Sequence, residues 1–313
     1  MLDEKPSGRL GEPRAGDSVR YDSEVDLSDT EATSTQLVVL TGRNKRVLEI
    51  GPATGYITRV LRERGCTVTC VEVDPDAAEL AKRWSERIIV GDVERIDLDE
   101  ALPGERFDVI LLGDLLEHLV DPGGLLTRCR AFLRRRGYVV ASVPNVAHAS
   151  VRLALLAGTF RYTEWGLLDR THLRFFDKAG LEALFEGSGY AVREWRRKTN
   201  DPFETELELR EEDFPPRLVE AMRNAPEALT YQFIVRAEPV RSRERRGERP
   251  PGSPSTEAVR AALGPLFPLE QRARQHQAAI LSHRAAEVVR KEGWGAFFGR
   301  LLRPWRWLPR LFR

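Results

Sequence analysis

The sequence predicts an α/β fold with a mostly parallel sheet and helices on both faces. Short apolar runs alternate with segments of helical spacing, which is typical of this class. The first run leads into a glycine-bounded turn at residues 51–55, and acidic residues follow the later runs. The 313 residues are 42% hydrophobic with a net charge of +1, so a globular core is possible and general nucleic-acid binding is not indicated.

The first strand, turn and helix are the most informative stretch. Residues 47–50 predict a buried strand, and residues 56–64 have helical spacing up to Gly65. Such a unit brings free backbone N–H groups and the positive end of a helix dipole to one place, which suits a polar or anionic ligand. An ordinary strand-to-helix turn is the alternative at this point.

Three further predicted strands each end at an acidic residue, where the carboxyl edge of a parallel sheet would lie. These acids are Glu72, Asp92 and Asp114. Glu72 lies about 20 residues after the glycines, where an acid at a strand end can accept hydrogen bonds from ribose hydroxyls. Its neighbour Asp74 has another possible role, as the cap of a helix that begins with Pro75.

The order and spacing of these motifs resemble those of class I S-adenosylmethionine-dependent methyltransferases. The matching positions are Glu49-x-Gly51-x-x-x-Gly55, Glu72, Gly91-Asp92, Asp114-Leu-Leu-Glu117-His118 and Asp121-Pro122. The resemblance covers roughly residues 37–238 and implies a Rossmann-like seven-stranded sheet, in a domain that we place at residues 32–238. Residues 190–195 and 231–236 are the candidates for its closing antiparallel pair. One departure is Ala53, which replaces the middle glycine of the family's turn and is small enough for close approach.

The resemblance also implies S-adenosylmethionine as the cofactor and a set of residues that bind it. Glu72 would bind the ribose, and Asp92 would bind the adenine amino group together with the backbone N–H of Val93. His118 could contact the cofactor or the substrate, or could simply bond to the backbone at a helix entry. The predicted cofactor-binding set is Glu49, Gly51, Ala53, Gly55, Tyr56, Glu72, Asp74, Asp92, Val93, Asp114 and His118.

Residues 145–176 are more than a minimal cofactor-binding domain needs, and we interpret them as a substrate lid. Their Asp-x-Thr-His-x-Arg-Phe-Phe run at 169–176 resembles the insert of bacterial methyltransferases associated with glycan and envelope-polysaccharide assembly. Methylation of a hydroxyl requires a base near the methyl group. His172 is the first candidate and His148 the second, although each could be structural. Asp114 could orient the substrate or act as an alternative base.

Three functions remain open on this evidence. The first is O-methylation of a sugar, a glycan or another small-molecule hydroxyl, and the second is methylation of a lipid or quinone held in an apolar lid pocket. The third is a non-catalytic cofactor-binding module that recruits a partner. No Asn-Pro-Pro-Tyr or Asp-Pro-Pro-Tyr run follows the fourth strand, which argues against nucleic acid as the acceptor. The glycine spacing does not fit a dehydrogenase, and the sequence spacing reveals no metal cluster.

The two ends of the chain are predicted to lie outside this domain. Residues 1–31 carry a net charge of −5 and predict disorder, and residues 239–256 predict a linker. Residues 257–313 predict a basic helical tail that ends in a Trp-, Leu- and Arg-rich stretch at 290–313. This stretch favours a peripheral membrane or protein partner over packing against the domain. Without a signal peptide or an apolar span of ~20 residues, we expect a cytoplasmic protein that could meet the inner face of the membrane.

Overall fold

The computed structural model describes residues 24–240. Most of the predicted N-terminal segment, all but the start of the predicted linker and the whole predicted tail lie outside the described residues. Residues 27–28 and 30–31 form turns, and the Thr35 hydroxyl donates a hydrogen bond to the carbonyl oxygen of Asp26 just before them. Within 24–240, no helix combines the length and the apolarity that a membrane span requires.

Seven strands form one sheet in the spatial order β3-β2-β1-β4-β5-β7-β6. The strands are β1 Arg46–Ile50, β2 Thr67–Glu72, β3 Arg87–Val90, β4 Phe107–Gly113, β5 Leu133–Pro144, β6 Tyr190–Thr199 and β7 Thr230–Pro239. The first five pair in parallel, and β7 runs antiparallel to both β5 and β6. The predicted Rossmann-like, mostly parallel sheet is confirmed, and its last two strands are longer than the sequence predicted.

Eight α-helices accompany the sheet in the described part of the chain. They are α1 Thr33–Thr41, α2 Tyr56–Glu63, α3 Pro75–Ala81, α4 Leu98–Ala101, α5 Pro122–Phe132, α6 Ala149–Leu156, α7 Lys178–Gly187 and α8 Pro216–Arg223. Asp74 accepts hydrogen bonds from two backbone N–H groups of the first turn of α3. The predicted cap is therefore confirmed, with Pro75 at the first helical position, where its missing N–H costs nothing.

Apolar clusters cover both faces of the sheet, as the sequence predicted. Val47 packs on one face with Leu61 of α2, whereas Leu48 packs on the other with Phe132 of α5. Successive side chains of a strand point to opposite faces, so a strand covered on both sides must be apolar throughout. The order of the sheet reverses between β1 and β4, and such a reversal opens a ligand-binding crevice at the carboxyl ends of the strands.

Candidate active site

The glycine-bounded turn brings the start of α2 to the carboxyl end of β1. Gly51, Ala53 and Gly55 all have positive φ angles, of 74°, 50° and 84°. A Cβ atom on Gly55 would lie 2.9 Å from the Cα of Ala81, so only glycine allows α3 to pack this close. The left-handed conformation costs Ala53 about 1 kcal/mol, and a hydrogen bond from its N–H to Glu72 holds it there.

Glu72 is fixed at the end of β2 by both of its carboxylate oxygens. One oxygen accepts the N–H of Ala53 at 3.0 Å, and the other accepts the N–H of Asp74 at 3.0 Å. The side chain is buried, and this burial raises the pKa of Glu72 while the backbone hydrogen bonds oppose the rise. A carboxylate offers about four lone-pair sites, so both oxygens can still accept from a diol. Asp74 caps α3 through its Oδ1, and the cofactor contact proposed for Asp74 stays a prediction.

Glu49 lies on the face of the sheet that α2 covers, and its described contacts are internal. The Thr58 hydroxyl of α2 donates to the Glu49 carboxylate at 2.7 Å. Burial raises the pKa of Glu49 to about 7. Tyr56 is the first residue of α2, and its side chain is half-buried. The cofactor contacts proposed for Glu49 and Tyr56 stay predictions, and the Thr58 bond gives Glu49 a structural role as well.

The raised pKa of Glu49 should make the folded protein less stable as the pH rises from 4.5 towards 7. The folded protein holds the Glu49 proton more tightly than the unfolded chain does. The protonated carboxyl therefore stabilises the fold fully below pH 4.5, the pKa in the unfolded chain, and this stabilisation is lost as the pH rises through about 7, the pKa in the folded protein. The shift corresponds to about 3 kcal/mol at most. Denaturant titrations across this range should show the decline in the wild type and a smaller one in Glu49→Gln. An equal decline in both proteins would contradict the assignment.

The loop after β3 holds the two residues predicted to bind adenine. The Asp92 carboxylate accepts the N–H of Glu94 at 2.9 Å and pairs with Arg95 at 3.2 Å. Val93 is buried, and its carbonyl oxygen accepts a hydrogen bond from Arg128 at 2.7 Å. These bonds fix the shape of the loop at the carboxyl edge. The contact with adenine stays a prediction.

Asp114 stands at the end of β4 in a conformation that three neighbours maintain. Its φ angle of 48° lies in the left-handed region, which is strained for a residue with a side chain. Its N–H donates to the Ser142 hydroxyl at 3.0 Å, and its carboxylate accepts from the same hydroxyl at 2.6 Å. Gln232 also donates to this carboxylate and in turn accepts from Thr33. Burial of the carboxylate raises the pKa of Asp114, whereas the hydrogen bonds from Ser142 and Gln232 oppose the rise. The residue as a whole keeps an exposed surface that a ligand can reach.

A short 3-10 turn at Leu116–His118 connects the sheet edge to the lid. The carbonyl oxygen of Glu117 accepts the N–H groups of Leu173 and Arg174 at 2.8 and 2.9 Å. The end of the predicted lid is therefore tied to the residues that follow β4. The sequence predicted that the residues after β4 and the lid lie near one site. Nothing in the sequence indicated that backbone hydrogen bonds join these two segments.

This connection brings His118 and His172 into an edge-to-face pair with ring centroids 4.9 Å apart. His118 Nδ1 lies 3.3 Å from the carbonyl oxygen of Thr171. Burial is the main cause that lowers the pKa of His172 to about 4, and the neighbouring His118 lowers it further. The imidazole of His172 is therefore neutral near pH 7. A base with so low a pKa accepts a proton weakly, which disfavours His172 as the general base.

His148, the second candidate base, is fully buried at the start of α6. Its Nδ1 lies 2.8 Å from the Ser150 hydroxyl, and its Nε2 lies 3.1 Å from the carbonyl oxygen of Asn200. Burial lowers the pKa of His148. Both ring nitrogens therefore lie within hydrogen-bonding distance of other protein atoms, which favours a structural role.

Exposed aromatic side chains of the lid continue outward from the histidine pair. The ring centroids of His172 and Phe175 lie 6.1 Å apart. Phe160 extends this row, 6.3 Å from Phe175 and 5.6 Å from Tyr162. We call these four residues the aromatic row. Trp165 is also exposed but is not part of it.

Glu206 fixes the predicted lid to β7, although nothing in the sequence indicated this role. Its carboxylate accepts the N–H of Leu167 at 2.5 Å and the hydroxyl of Tyr231 at 2.9 Å. Ser142 and Gln232, which orient Asp114, were also missed. These partners are 25 to 118 residues apart in the chain, so no local pattern could reveal them.

A family model described as a methyltransferase domain matches residues 30–194, more than half of the chain. The chain belongs to this family of methyltransferase domains. The class I domain predicted from the motifs is thereby confirmed, together with S-adenosylmethionine as its cofactor. The residues of this methyltransferase domain fit that cofactor, because Glu72 presents two fixed carboxylate oxygens and the turn at 51–55 adopts conformations that favour glycine.

Several curated relatives are named ubiquinone biosynthesis O-methyltransferase. The one from Bradyrhizobium diazoefficiens is 33% identical over 118 residues, covering 37% of this chain and 46% of the relative. The one from Nitrobacter winogradskyi is 30% identical over 163 residues, covering 50% and 61%. The chain spans about half the length of the first curated relatives it matches.

The solved structures that match this chain are more distant in sequence. The 1,6-didemethyltoxoflavin-N1-methyltransferase of Burkholderia thailandensis shares 22% identity with a TM-score of 0.44, over 69% of this chain and 82% of that chain. The CcbJ methyltransferase of Streptomyces caelestis shares 15% identity with a TM-score of 0.48, over 72% and 96%. The family assignment above rests on the match of residues 30–194.

Proposed function

We propose that this methyltransferase domain methylates a hydroxyl oxygen on an acceptor whose body is aromatic or apolar. The observation that carries the proposal is the aromatic row, which leads from the buried His172 to the exposed Tyr162. Exposed rings provide a surface on which a planar or apolar molecule can stack. The names of the curated relatives, which methylate in ubiquinone biosynthesis, support the same class of acceptor.

When bound, S-adenosylmethionine supplies a methyl group that the acceptor oxygen takes by in-line displacement, with the C–S bonding pair staying on sulfur to leave S-adenosylhomocysteine. Asp114 is our choice to accept the hydroxyl proton. Its raised pKa makes it a better proton acceptor than an ordinary aspartate, whereas the pKa of His172 is lowered to about 4. Ser142 and Gln232 would hold the Asp114 carboxylate towards the acceptor.

The other residues of the site would bind the donor. Glu72 would accept hydrogen bonds from the ribose hydroxyls, and Asp92 with the N–H of Val93 would bind adenine. The turn at residues 51–55 would face the methionine end through its backbone. The bonds that fix Glu72 and the loop after β3 support these roles, because a preset geometry reduces the ordering that a ligand must impose.

A sugar or glycan hydroxyl is the second candidate for the acceptor. The exposed Trp165 favours it, since an indole ring can also cover the apolar face of a sugar. The resemblance of residues 169–176 to glycan-associated inserts points the same way. We place this candidate second because Trp165 belongs to no ring pair among residues 24–240, whereas the aromatic row reaches the histidine pair.

The acceptor class can be tested with the full chain by measuring S-adenosylhomocysteine formation from matched sets of catechols, quinols and sugars. We expect turnover with an apolar catechol or quinol. Phe160→Ala should raise KM for that acceptor about fivefold, because one aromatic contact is lost, while the donor KM stays unchanged. Trp165→Ala is the matched control and should change neither value.

The remaining outcomes separate the other two functions. If only sugars are turned over, and Trp165→Ala abolishes this turnover, the acceptor is a glycan hydroxyl. That result would contradict the aromatic row as the acceptor surface. Binding of S-adenosylhomocysteine without turnover of any acceptor class would favour a non-catalytic module.

A further inference from the structure

We propose that Glu117, His118 and His172 together bind a divalent transition-metal ion. Each side chain offers one ligand atom, and the three atoms lie within 4.8 Å of one another. Two imidazole nitrogens and one carboxylate oxygen suit Zn²⁺ or Fe²⁺, whereas Mg²⁺ prefers oxygen ligands throughout. The proposal departs from the expectation based on sequence spacing, because the third ligand comes from the lid.

The side chain of Glu117 is the observation that points to a ligand. It is 1% exposed, and within residues 24–240 neither of its carboxylate oxygens has a hydrogen-bond partner. A buried carboxyl group without a partner is costly in a protein interior. A dication between Glu117 and the two imidazoles would satisfy the carboxylate with both charge and coordination.

The backbone holds the three side chains in one place. The carbonyl oxygen of Glu117 accepts the N–H groups of Leu173 and Arg174, which join the two segments that carry the ligands. The Thr171 carbonyl oxygen lies 3.3 Å from His118 Nδ1. Histidines that bind metals commonly have one ring nitrogen bonded to a carbonyl, which orients the ring towards the ion.

The ring of His172 is buried and is held in place by two neighbouring rings. Its centroid lies 4.9 Å from that of His118 and 6.1 Å from that of Phe175, both in edge-to-face contacts. Imidazole is the commonest metal ligand among protein side chains. A role as the third ligand therefore accounts for the position of His172 beside His118 and Glu117.

Metal binding itself does not depend on methyl transfer, and only the role of the ion rests on the proposed function. Three protein ligands leave coordination positions open, as in catalytic metal sites. An acceptor hydroxyl bound there would have a lowered pKa and would give up its proton more readily to Asp114. The metal would thus favour acceptors with a hydroxyl, or two adjacent hydroxyls, at the inner end of the aromatic row.

The test is calorimetric titration of the tag-free, chelator-treated full chain with Zn²⁺, and with Mg²⁺ for comparison. We expect one Zn²⁺ per chain and at least about tenfold weaker binding in Glu117→Gln. Glu164→Gln is the matched control, because it removes an exposed acid of the lid and should bind Zn²⁺ like the wild type. His172→Asn should lose binding independently. Unchanged S-adenosylhomocysteine affinity in each variant would show that the domain is intact.

Equal Zn²⁺ affinity in the wild type, Glu117→Gln and His172→Asn would overturn the site. Absence of Zn²⁺ binding to the wild type would do the same. Methyl transfer that persists in the presence of a chelator would show that the metal ion has no role in the reaction. The titrations would still decide whether the metal site exists. Failure to find an acceptor would leave the binding measurements unaffected, so the two proposals fail separately.

Discussion

Replacing Asp114 with asparagine should lower kcat for methyl transfer by about two to four orders of magnitude, the usual contribution of a general base. Asparagine keeps the size of the side chain and can still accept from the Ser142 hydroxyl. It also tolerates the left-handed backbone of this position better than most residues. The fold should therefore survive, and the loss should reflect the missing proton acceptor. Steady-state kinetics with the best acceptor would measure it.

Ser142→Ala provides a graded comparison for that experiment. It keeps the carboxylate but removes one hydrogen bond that orients it, so kcat should fall by about tenfold while KM for the donor stays near its wild-type value. Full kcat in Asp114→Asn would contradict the proton-acceptor role and would return His172 to that position. The two variants thus distinguish the group that takes the proton from a group that positions it.

The parts of the site that the sequence predicted depend on short-range physics. Apolar runs, a glycine-bounded turn and the Asp74-Pro75 cap each specify a local conformation, and the structure confirms the strand, turn and helix they predict. The order of the motifs then places Glu72 and Asp114 at one edge of the sheet, because parallel strands share their carboxyl ends. A single sequence is sufficient for these steps.

The environment of each acid could not be predicted in the same way. Glu49 of β1 and Glu72 of β2 lie on neighbouring strands, yet Glu49 faces Thr58 of α2 whereas Glu72 bonds to the turn at residues 51–55. Which face a side chain meets depends on the helix packed there. His148 shows the same limit, since its buried contacts with Ser150 and Asn200 appear only in the folded chain.

Long-range hydrogen bonds account for the rest of what the sequence did not reveal. Gln232 of β7 reaches Asp114 because β7 inserts beside β5, and that adjacency comes from sheet topology. The lid meets Glu117 through backbone N–H groups, which carry no residue-specific signal. The histidine and glutamate cluster is therefore a product of tertiary structure, although each of its members was visible in a motif.

Glu72→Ala should weaken S-adenosylhomocysteine binding by about 100-fold, because a ribose diol would lose two hydrogen bonds to a charged acceptor. The structure adds a second effect that the sequence did not indicate. Alanine would leave the N–H groups of Ala53 and Asp74 without their acceptor, so the free energy of unfolding should fall by about 1–3 kcal/mol as well. Calorimetry with the ligand and denaturant titration without it would measure the two effects separately.

Asp74→Ala is the control that makes the Glu72 result interpretable. It removes the neighbouring carboxylate and the cap of α3, which should cost about 1 kcal/mol of stability. Since Asp74 Oδ1 accepts two N–H groups of the first turn of α3, we assign this side chain to the helix cap and expect the ligand affinity to stay close to that of the wild type. Equal losses of affinity in both variants would contradict a direct bond from Glu72 to the ribose, because damage to the loop would then explain both. A loss confined to Glu72→Ala would assign the ribose to Glu72 and leave Asp74 as the helix cap alone.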